Sequence, residues 1–367
     1  MDLFRFTNPA HEMLMEAGRF LPRFESVSWV ERYRAAGEVT IDSKPEDRIR
    51  EILPEGSLIS HPDTDEIMII ESHTLPDNPG EEPTMRTYGR SFETFLSQRI
   101  VGSNKEFPHA SAPGEFALAK SPSATQAVRL VQYHVMASET INRADALSYL
   151  RVRSVVGKPG TQERRVIQRG PVYDGLINIL QVDNLGVRTI RPRNGYTDVI
   201  IEIHAGRDRS KVIFSTVDGE IDNAEYLWSD KRLKNCALVT GRWVETLVDD
   251  VGARGLRRRM MFVDANDIDD RLEAYPTGEA LNDIKESMRA RGREQLAKQR
   301  AVALAQATAA PFQPGTVYGV DYRVGDIVTV AGKYDKPKQM RVSEYVRIQD
   351  NEGEQGYPSF EEVEEAQ

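Results

Sequence analysis

Four short stretches carry the residue types that chemistry would need. Asp198, Glu202 and His204 lie along DVIIEIH, and period-two alternation puts Glu202 and His204 on one strand face. Magnesium-dependent nucleases gather two carboxylates and a lysine around an ion that stabilises charge on the attacking and leaving oxygens. Here a histidine takes the lysine's place and the first basic neighbour, Arg207, falls in a turn. An exposed polar face of an antiparallel strand explains the pattern more simply. His11-Glu12 begins like a zinc-protease helix, but Met15 stands where the second imidazole is needed.

Asp264 to Asp270 (DANDIDD) matches a calcium loop at its first and third positions only. Ile268 sits where an oxygen ligand belongs, Asp269 replaces the turn glycine, and Tyr275 replaces the bidentate glutamate. Acids near a helix start explain it better, because they favour the N-terminal dipole. Arg254 to Arg259 (RGLRRR) is a compact basic run without interleaved aromatics on which bases could stack. A salt-bridged contact to another subunit fits it best, with a plain solvated loop as the alternative. Gly102, Gly157 and Gly160 form no phosphate loop, and no serine nucleophile elbow is present. Paired carboxylates for sugar cleavage can lie far apart in sequence, and nothing singles out a pair. The expectation is no catalytic, cofactor-binding or metal-ligating residue.

Composition narrows the class. The chain has 367 residues, room for two to four modest domains, and a formal charge of −9. Its pI of about 5.4 argues against gripping nucleic acid by phosphate neutralisation. The single cysteine, Cys236, excludes an intrachain disulfide and a cysteine-based zinc site. No apolar run reaches membrane-spanning length, and MDLFRFTNPAHEM lacks the basic-then-apolar order of a signal peptide. A soluble protein without its own export signal is expected.

The elements are mostly β. Val324-Gly325-Asp326 reads as a turn, Ile327, Val328 and Val330 as a strand, Gly332 to Lys338 as a loop, and Gln339 to Ile348 as a second strand. Such a hairpin needs partners, and Ser28 to Ser72 offers them, so the two chain ends close one β-domain. There, Trp29 to Arg34, Gly37 to Ile41, Ser57 to Ser60 and Ile67 to Glu71 read as strands. Leu3 to Phe6 makes a further short strand, Pro45 to Leu53 a helical turn, and Trp29 and Tyr33 one-face anchors. Thr84 to Arg90 reads as a strand and Phe92 to Ile100 as a helix-like segment, followed by a long surface loop from Lys105 to Pro122. A helix capped by Ser121 or Ser123 then runs to Ile141, with Ala124, Val128, Val131 and Val135 on one face.

Asp145 to Val156 reads as helix or strand, with the strand favoured from Tyr149 on, and Pro171 to Val182 reads as a helix. Val187 to Ile190, Asp198 to His204, Lys211 to Ser215, Ala237 to Thr240 and Trp243 to Val248 are read as strands of one sheet. Its turns are Ala205 to Asp208 and Asp218-Gly219-Glu220, and Met260 to Val263 adds one more strand. Pro276 to Ala297 forms a charged helix with Leu281, Ile284, Met288 and Leu296 on one stripe. The alanines of Arg300 to Ala310 favour continuing that helix, but Val302, Leu304 and Gln306 alternate as a strand would, and the strand is preferred; Phe360 to Gln367 reads as a frayed acidic tail.

An ordered set of motifs goes further. Trp29, Tyr33, Gly37-Glu38, Gly56 to Ile59 and Glu66 to Glu71 resemble tail proteins of long-tailed phages that infect actinobacteria. So do Lys211 to Ser215 with Asp218-Gly219, and Tyr318 to Val330. The likeness runs nearly full length, although Gly241-Arg242-Trp243 is leaner than the family's Gly-rich turn. It implies a minor tail protein similar to contractile-phage baseplate hubs. The implied fold is α+β and β-rich, with tail-tube-like antiparallel β-barrel domains and peripheral α/β domains. The implied state is a homotrimer that adapts a hexameric tube to a threefold tip.

The expected domains are a tube-like barrel at 1–104 completed by the C-terminal strands, a loop-and-helix insertion at 105–165, a middle β-rich domain at 166–275, and a helix plus returning hairpin at 276–367. Expected partners are the distal tail protein, the tape measure protein and other tip or fibre proteins, with DNA passing through unbound. No cofactor is expected. The rivals are a tail-associated hydrolase or nuclease, and a peripheral receptor- or glycan-binding module.

Overall fold

The computed structural model describes residues 3–7, 14–20, 24–61, 63–76, 82–102, 116–136, 147, 149–157, 160, 162–191, 198–215, 221–269, 274–299, 302–309, 314–332 and 337–363. His11-Glu12, the loop from Lys105 as far as residue 115, and Asp218-Gly219-Glu220 lie outside them.

Alternating apolar and polar residues dictate the first unit, since successive side chains of a strand face opposite ways. β1 (Phe4–Thr7), β2 (Leu14–Phe20), β3 (Ser26–Arg32), β4 (Glu38–Ser43), β5 (Leu58–Ser60), β6 (Ile67–Thr74) and β7 (Met85–Ser91) pair antiparallel in the order β3-β4-β7-β6-β5-β1-β2. Val27, Trp29, Val39, Ile41, Met68 and Ile70 bury together with Leu3, Ile59 and Ile49, the last from the one-turn helix α1 (Ile49–Ile52). A 3-10 turn over Phe92–Gln98 follows β7 and buries Phe92, Phe95 and Leu96.

A mixed layer comes next. It contains β8 (Phe116–Pro122), α2 (Ser123–Val131), β9 (Leu150–Ser154), β10 (Gln162–Ile167), α3 (Val172–Val182), β11 (Gly186–Ile190) and β12 (Val199–His204). β9 runs parallel and β11 antiparallel to β12. Leu130, Val131, Leu176, Ile179 and Leu180 of the two helices pack against Leu150, Val187, Val199, Ile201 and Ile203.

β13 (Asp208–Ser215) and β14 (Ile221–Ser229) then lead to a small unit of β15 (Cys236–Thr240), β16 (Glu245–Val248), β17 (Met260–Asp264), α4 (Asn266–Asp269) and α5 (Gly278–Ala297). As its stripe predicts, α5 packs Met288, Leu281, Ile284 and Leu296 onto Ala237, Val239, Val248 and Val263. β18 (Val302–Ala309), β19 (Ile327–Ala331), β20 (Lys338–Asp350) and β21 (Gly353–Glu362) complete the chain. The anticipated hairpin is present, Ile327 lying opposite Arg341, and β20 pairs with β3, Val346 opposite Val30. The two chain ends therefore do share one sheet. Among the described residues no helix is long and apolar enough to cross a membrane.

Several expectations need correction. Among the described residues no sheet closes into a barrel. β20 gives one edge to β21 and divides the other between β19 and β3, with an irregularity between Val342 and Glu344. The sheet branches there, and among the described residues β2 and β14 remain as edges of its long path. The middle strands are not one sheet: β11 and β12 join β9, β13 joins β19, and β15 and β16 join β17.

Local structure departs in three places. Phe116 to Pro122 is a strand paired with β10 rather than loop, because Phe116 and Leu118 bury in the core that the α2 and α3 residues form. Pro122 stands at the N-cap of α2 without a side-chain cap bond, and Ser121 instead donates to the Ala119 carbonyl at 2.9 Å. The α-helix ends at Val131 and widens into a π turn over Gln132–Met136. Phe360 is fully buried in β21, so the tail begins after it.

Candidate functional site at the fork of the main sheet

The strand DVIIEIH delivers Glu202 and His204 to one face, as alternation requires, but that face is covered. Glu202 is only 2 % exposed. Arg188, opposite it on β11, donates through Nη2 to Oε1 at 2.6 Å, and Arg153 on β9 donates through Nε to Oε2 at 2.8 Å. Burial pushes the Glu202 carboxyl up, yet these two guanidiniums outweigh it and hold the group below the ordinary carboxylate value. Asp198 is elsewhere, beside Arg151 at 3.3 Å. The three residues do not converge.

His204 sits deeper. Burial, with Arg188 and Arg341 nearby, pushes its imidazole down to about 3, so it is neutral. After it the chain turns at Gly206, whose φ of 73° belongs to the left-handed region. Arg341 of β20 donates through Nη1 to the carbonyls of Ala205 at 2.7 Å and Gly325 at 2.6 Å, so one guanidinium staples two loops. Asp326 fixes them further, Oδ1 accepting from the Arg207 amide at 2.8 Å and Oδ2 from the Arg323 amide at 3.0 Å.

These loops and the β9-β12-β11 sheet enclose a cleft of about 520 Å³. Its wall carries Arg153, Arg188, Arg207, Arg209 and Arg323 against Asp65, Glu202, Asp321 and Asp326. The acids are committed: Asp65 faces Arg323 at 3.3 Å, and Asp321 accepts from the Val317 amide at 2.9 Å. Arg209 keeps a buried Nε without a hydrogen-bond partner, and Arg207 is exposed. The cleft can receive an anion or an acidic side chain. Each of the four carboxylates that line it among the described residues already has a partner.

Behind the cleft, Tyr318 donates its hydroxyl to Glu31, and Glu66 is buried nearby. Burial, together with Glu31 and Glu93, pushes the Glu66 carboxyl well above its ordinary value. Among the described residues no three His, Cys, Asp or Glu side chains group as a metal site. Asp269 of the calcium-like run caps the amides of Arg242, Trp243 and Val244 at 2.7 to 3.0 Å, and Asp267 pairs with Arg291 at 3.0 Å. In the basic run, Arg258 and Arg259 face Asp249 and Asp230 within this chain, at 3.5 and 3.9 Å. Sequence reading singled out Arg207 but missed the roles of Arg153, Arg188, Arg209 and Arg323. Arg151-Val152-Arg153 alternates visibly, but its target lies on another strand.

A model of the siphovirus ReqiPepy6 Gp37-like protein family matches residues 17–358. The chain belongs to that family. No curated protein matches it in sequence. The fold of this Gp37-like chain is similar to that of the prophage MuSo2 43 kDa tail protein from Shewanella oneidensis, with a TM-score of 0.56 at 12 % identity over 98 % of both chains. It is also similar to a tail protein from Neisseria meningitidis MC58, with a TM-score of 0.55 at 11 % identity, covering 98 % of this chain and 96 % of that one. A third likeness is to prophage tail protein gp18 from Listeria monocytogenes EGD-e, with a TM-score of 0.50 at 8 % identity, covering 100 % and 96 %. At such identities the shared property is the α+β, strand-rich fold.

Proposed function

We propose that this chain is a structural, non-enzymatic component of a siphovirus tail: a homotrimeric tail-tip hub that joins the hexameric tube to a threefold tip and lines or closes the DNA channel. The end-to-end correspondence with tail proteins, 98 % of each chain in the Shewanella case, carries the reading. Two features support it. β2 and β14 are sheet edges among the described residues, and open edges invite pairing with another chain. Head-to-tail pairing of such edges closes a ring. The branch at β20 also divides the sheet into two strand groups, so three copies would present six to the tube.

In this reading the neighbours are the distal tail protein, the tape measure protein and fibre or other tip proteins. The charge of −9 suits a channel that passes DNA without holding it. The site is the virion tail tip, after assembly in the host cytoplasm. Gold-labelled antibody against the chain, viewed on purified particles, tests this. Label confined to the tip supports the hub. Label spread along the tube, or none on intact or disrupted particles, refutes it, and a tip reconstruction without threefold density for this chain refutes the trimer.

A further inference from the structure

The β16-β15-β17 sheet buries one face on α5 and, among the described residues, leaves most of the other uncovered, Cys236 beneath Arg258 being the exception. Its register sets Leu247, Leu238 and Phe262 side by side across the three strands, with Met260 next to them on β17. Leu247 is 45 % exposed, Met260 44 % and Phe262 66 %. Scattered apolar residues on a surface are ordinary, but a continuous row on one sheet face marks a contact.

The row has polarity. At the end where β15 and β17 begin, the 231–234 and 254–259 loops are tied by Asn235, which donates to the Arg257 carbonyl at 2.8 Å and accepts from the Arg259 amide at 2.9 Å. Lys231, Arg232, Arg254 and Arg257 are exposed there and make no ion pair with a described residue. Leu256, 100 % exposed, stands at the tip of the second loop. At the other end of the same face Glu245 and Asp264 flank Thr240, both exposed.

Cations, an apolar row and then carboxylates form a pattern that a polyphosphate or an anionic bilayer cannot match. Either would gain at the arginines and be repelled at Glu245 and Asp264. A polypeptide can complement all three zones, because its charges alternate along a chain.

We propose that this bare face docks an acidic segment of a neighbouring tail protein. Its carboxylates meet Arg254 and Arg257, and its aliphatic or aromatic side chains cover Leu247, Leu238 and Phe262. The proposal rests on the tail-component reading above. It gives the basic run a partner that the intrachain pairs of Arg258 and Arg259 leave open.

The test places photoreactive benzoylphenylalanine at Phe262, and in a second preparation at Met260, in assembled particles. Irradiation is expected to join the chain to one segment of a different tail protein, with Asp or Glu within a few residues of the cross-link. Arg254→Glu with Arg257→Glu should cut that yield about tenfold while the chain stays in the particle. Cross-links only between copies of this chain, or none at either position in particles that contain it, overturn the proposal. So does a yield indifferent to the charge reversal. Binding of the purified chain to phosphatidylglycerol vesicles or duplex DNA, abolished by the same reversal, overturns it in favour of those ligands. Absence of the chain from purified particles removes the tail reading itself.

Discussion

Tyr33 and His204 meet edge to face, ring centroids 5.2 Å apart, and the Tyr33 hydroxyl is shared between the carbonyls of His204 at 3.2 Å and Asn184 at 2.8 Å. One side chain thereby bridges the end of β3 and the end of β12. Arg341 lies over the Tyr33 ring, 4.6 Å from its centroid, so the staple across the fork rests on the same residue. Tyr33→Ala removes that packing and is expected to cost about 3–5 kcal/mol in urea unfolding. Tyr33→Phe keeps the ring and should lose about 1–2 kcal/mol. Equal losses would mean that the hydroxyl, not the ring, holds the joint.

Gly206 gives a backbone test of the same fork. A Cβ there would lie 1.8 Å from the Gly325 carbonyl oxygen, and the left-handed φ adds strain of its own. Gly206→Ala should lower stability by about 2–4 kcal/mol. Gly157→Ala, whose Cβ would meet nothing, should stay within about 0.5 kcal/mol of the parent. Thermal unfolding of the two variants side by side decides it. A silent Gly206→Ala would mean that the loops can part without loss.

Much of this architecture is legible in the chain because local signals agree. Ile327, Val328 and Val330 follow a Gly-Asp turn, and Leu281, Ile284 and Met288 share a helical stripe; both elements form as read. The fork is different, since which strands β20 accepts depends on surfaces made by both ends of the chain. No local pattern at Ser343 states that one edge serves two partners. β8 was hidden because Ala117, Ala119 and Ser121 dilute the alternation of Phe116 and Leu118. The pattern around Glu202 was visible, but its meaning was not. Arg188 and Arg153 come from neighbouring strands, 14 and 49 residues away, and only the parallel pairing of β9 brings the second.

Glu93 makes stability depend on pH. It accepts a hydrogen bond from Thr189 at 2.5 Å, but burial dominates and pushes its carboxyl from 4.5 up to about 7. A raised carboxyl binds its proton more tightly folded than unfolded, so its contribution is full below pH 4.5 and is lost as pH rises to about 7. Glu93→Gln should remove this falling limb, on the order of 3 kcal/mol, and leave the variant relatively more stable above pH 7. His61 and His204, both held down to about 3 chiefly by burial, act oppositely and cost stability as pH falls below 6.5. Chemical denaturation between pH 4 and 8, variant against parent, separates the two limbs. An unchanged slope in Glu93→Gln would show that Glu93 titrates normally.

For Glu202 the expected phenotype is structural. Glu202→Ala leaves Arg188 and the half-exposed Arg153 without their shared carboxylate and should cost about 1–3 kcal/mol. Adding Arg153→Ala should recover part of that, so the double variant is less damaged than the sum of its singles. Nuclease assays with magnesium should read the same for the parent and for Glu202→Gln. Magnesium-dependent cleavage lost in that variant while it stays folded would restore the nuclease reading.

Arg165 ties β10 to α5 from inside the protein. It is 1 % exposed and pairs with Glu163 at 2.8 Å and Glu294 at 3.1 Å. Arg165→Met keeps the volume but takes the guanidinium from Glu294, while Glu163 keeps its pair with Arg293, and should lose about 3–5 kcal/mol near neutral pH. Burial already pushes the Glu294 carboxyl up, with Arg165 and Arg291 opposing it. Without Arg165 that shift grows, and a raised carboxyl is least costly where it is protonated. The variant should therefore approach the parent near pH 5 and diverge from it towards pH 8. A deficit that stays constant across this range would trace the loss to packing rather than to stranded charge. Glu294→Gln in the same background should then rescue nothing.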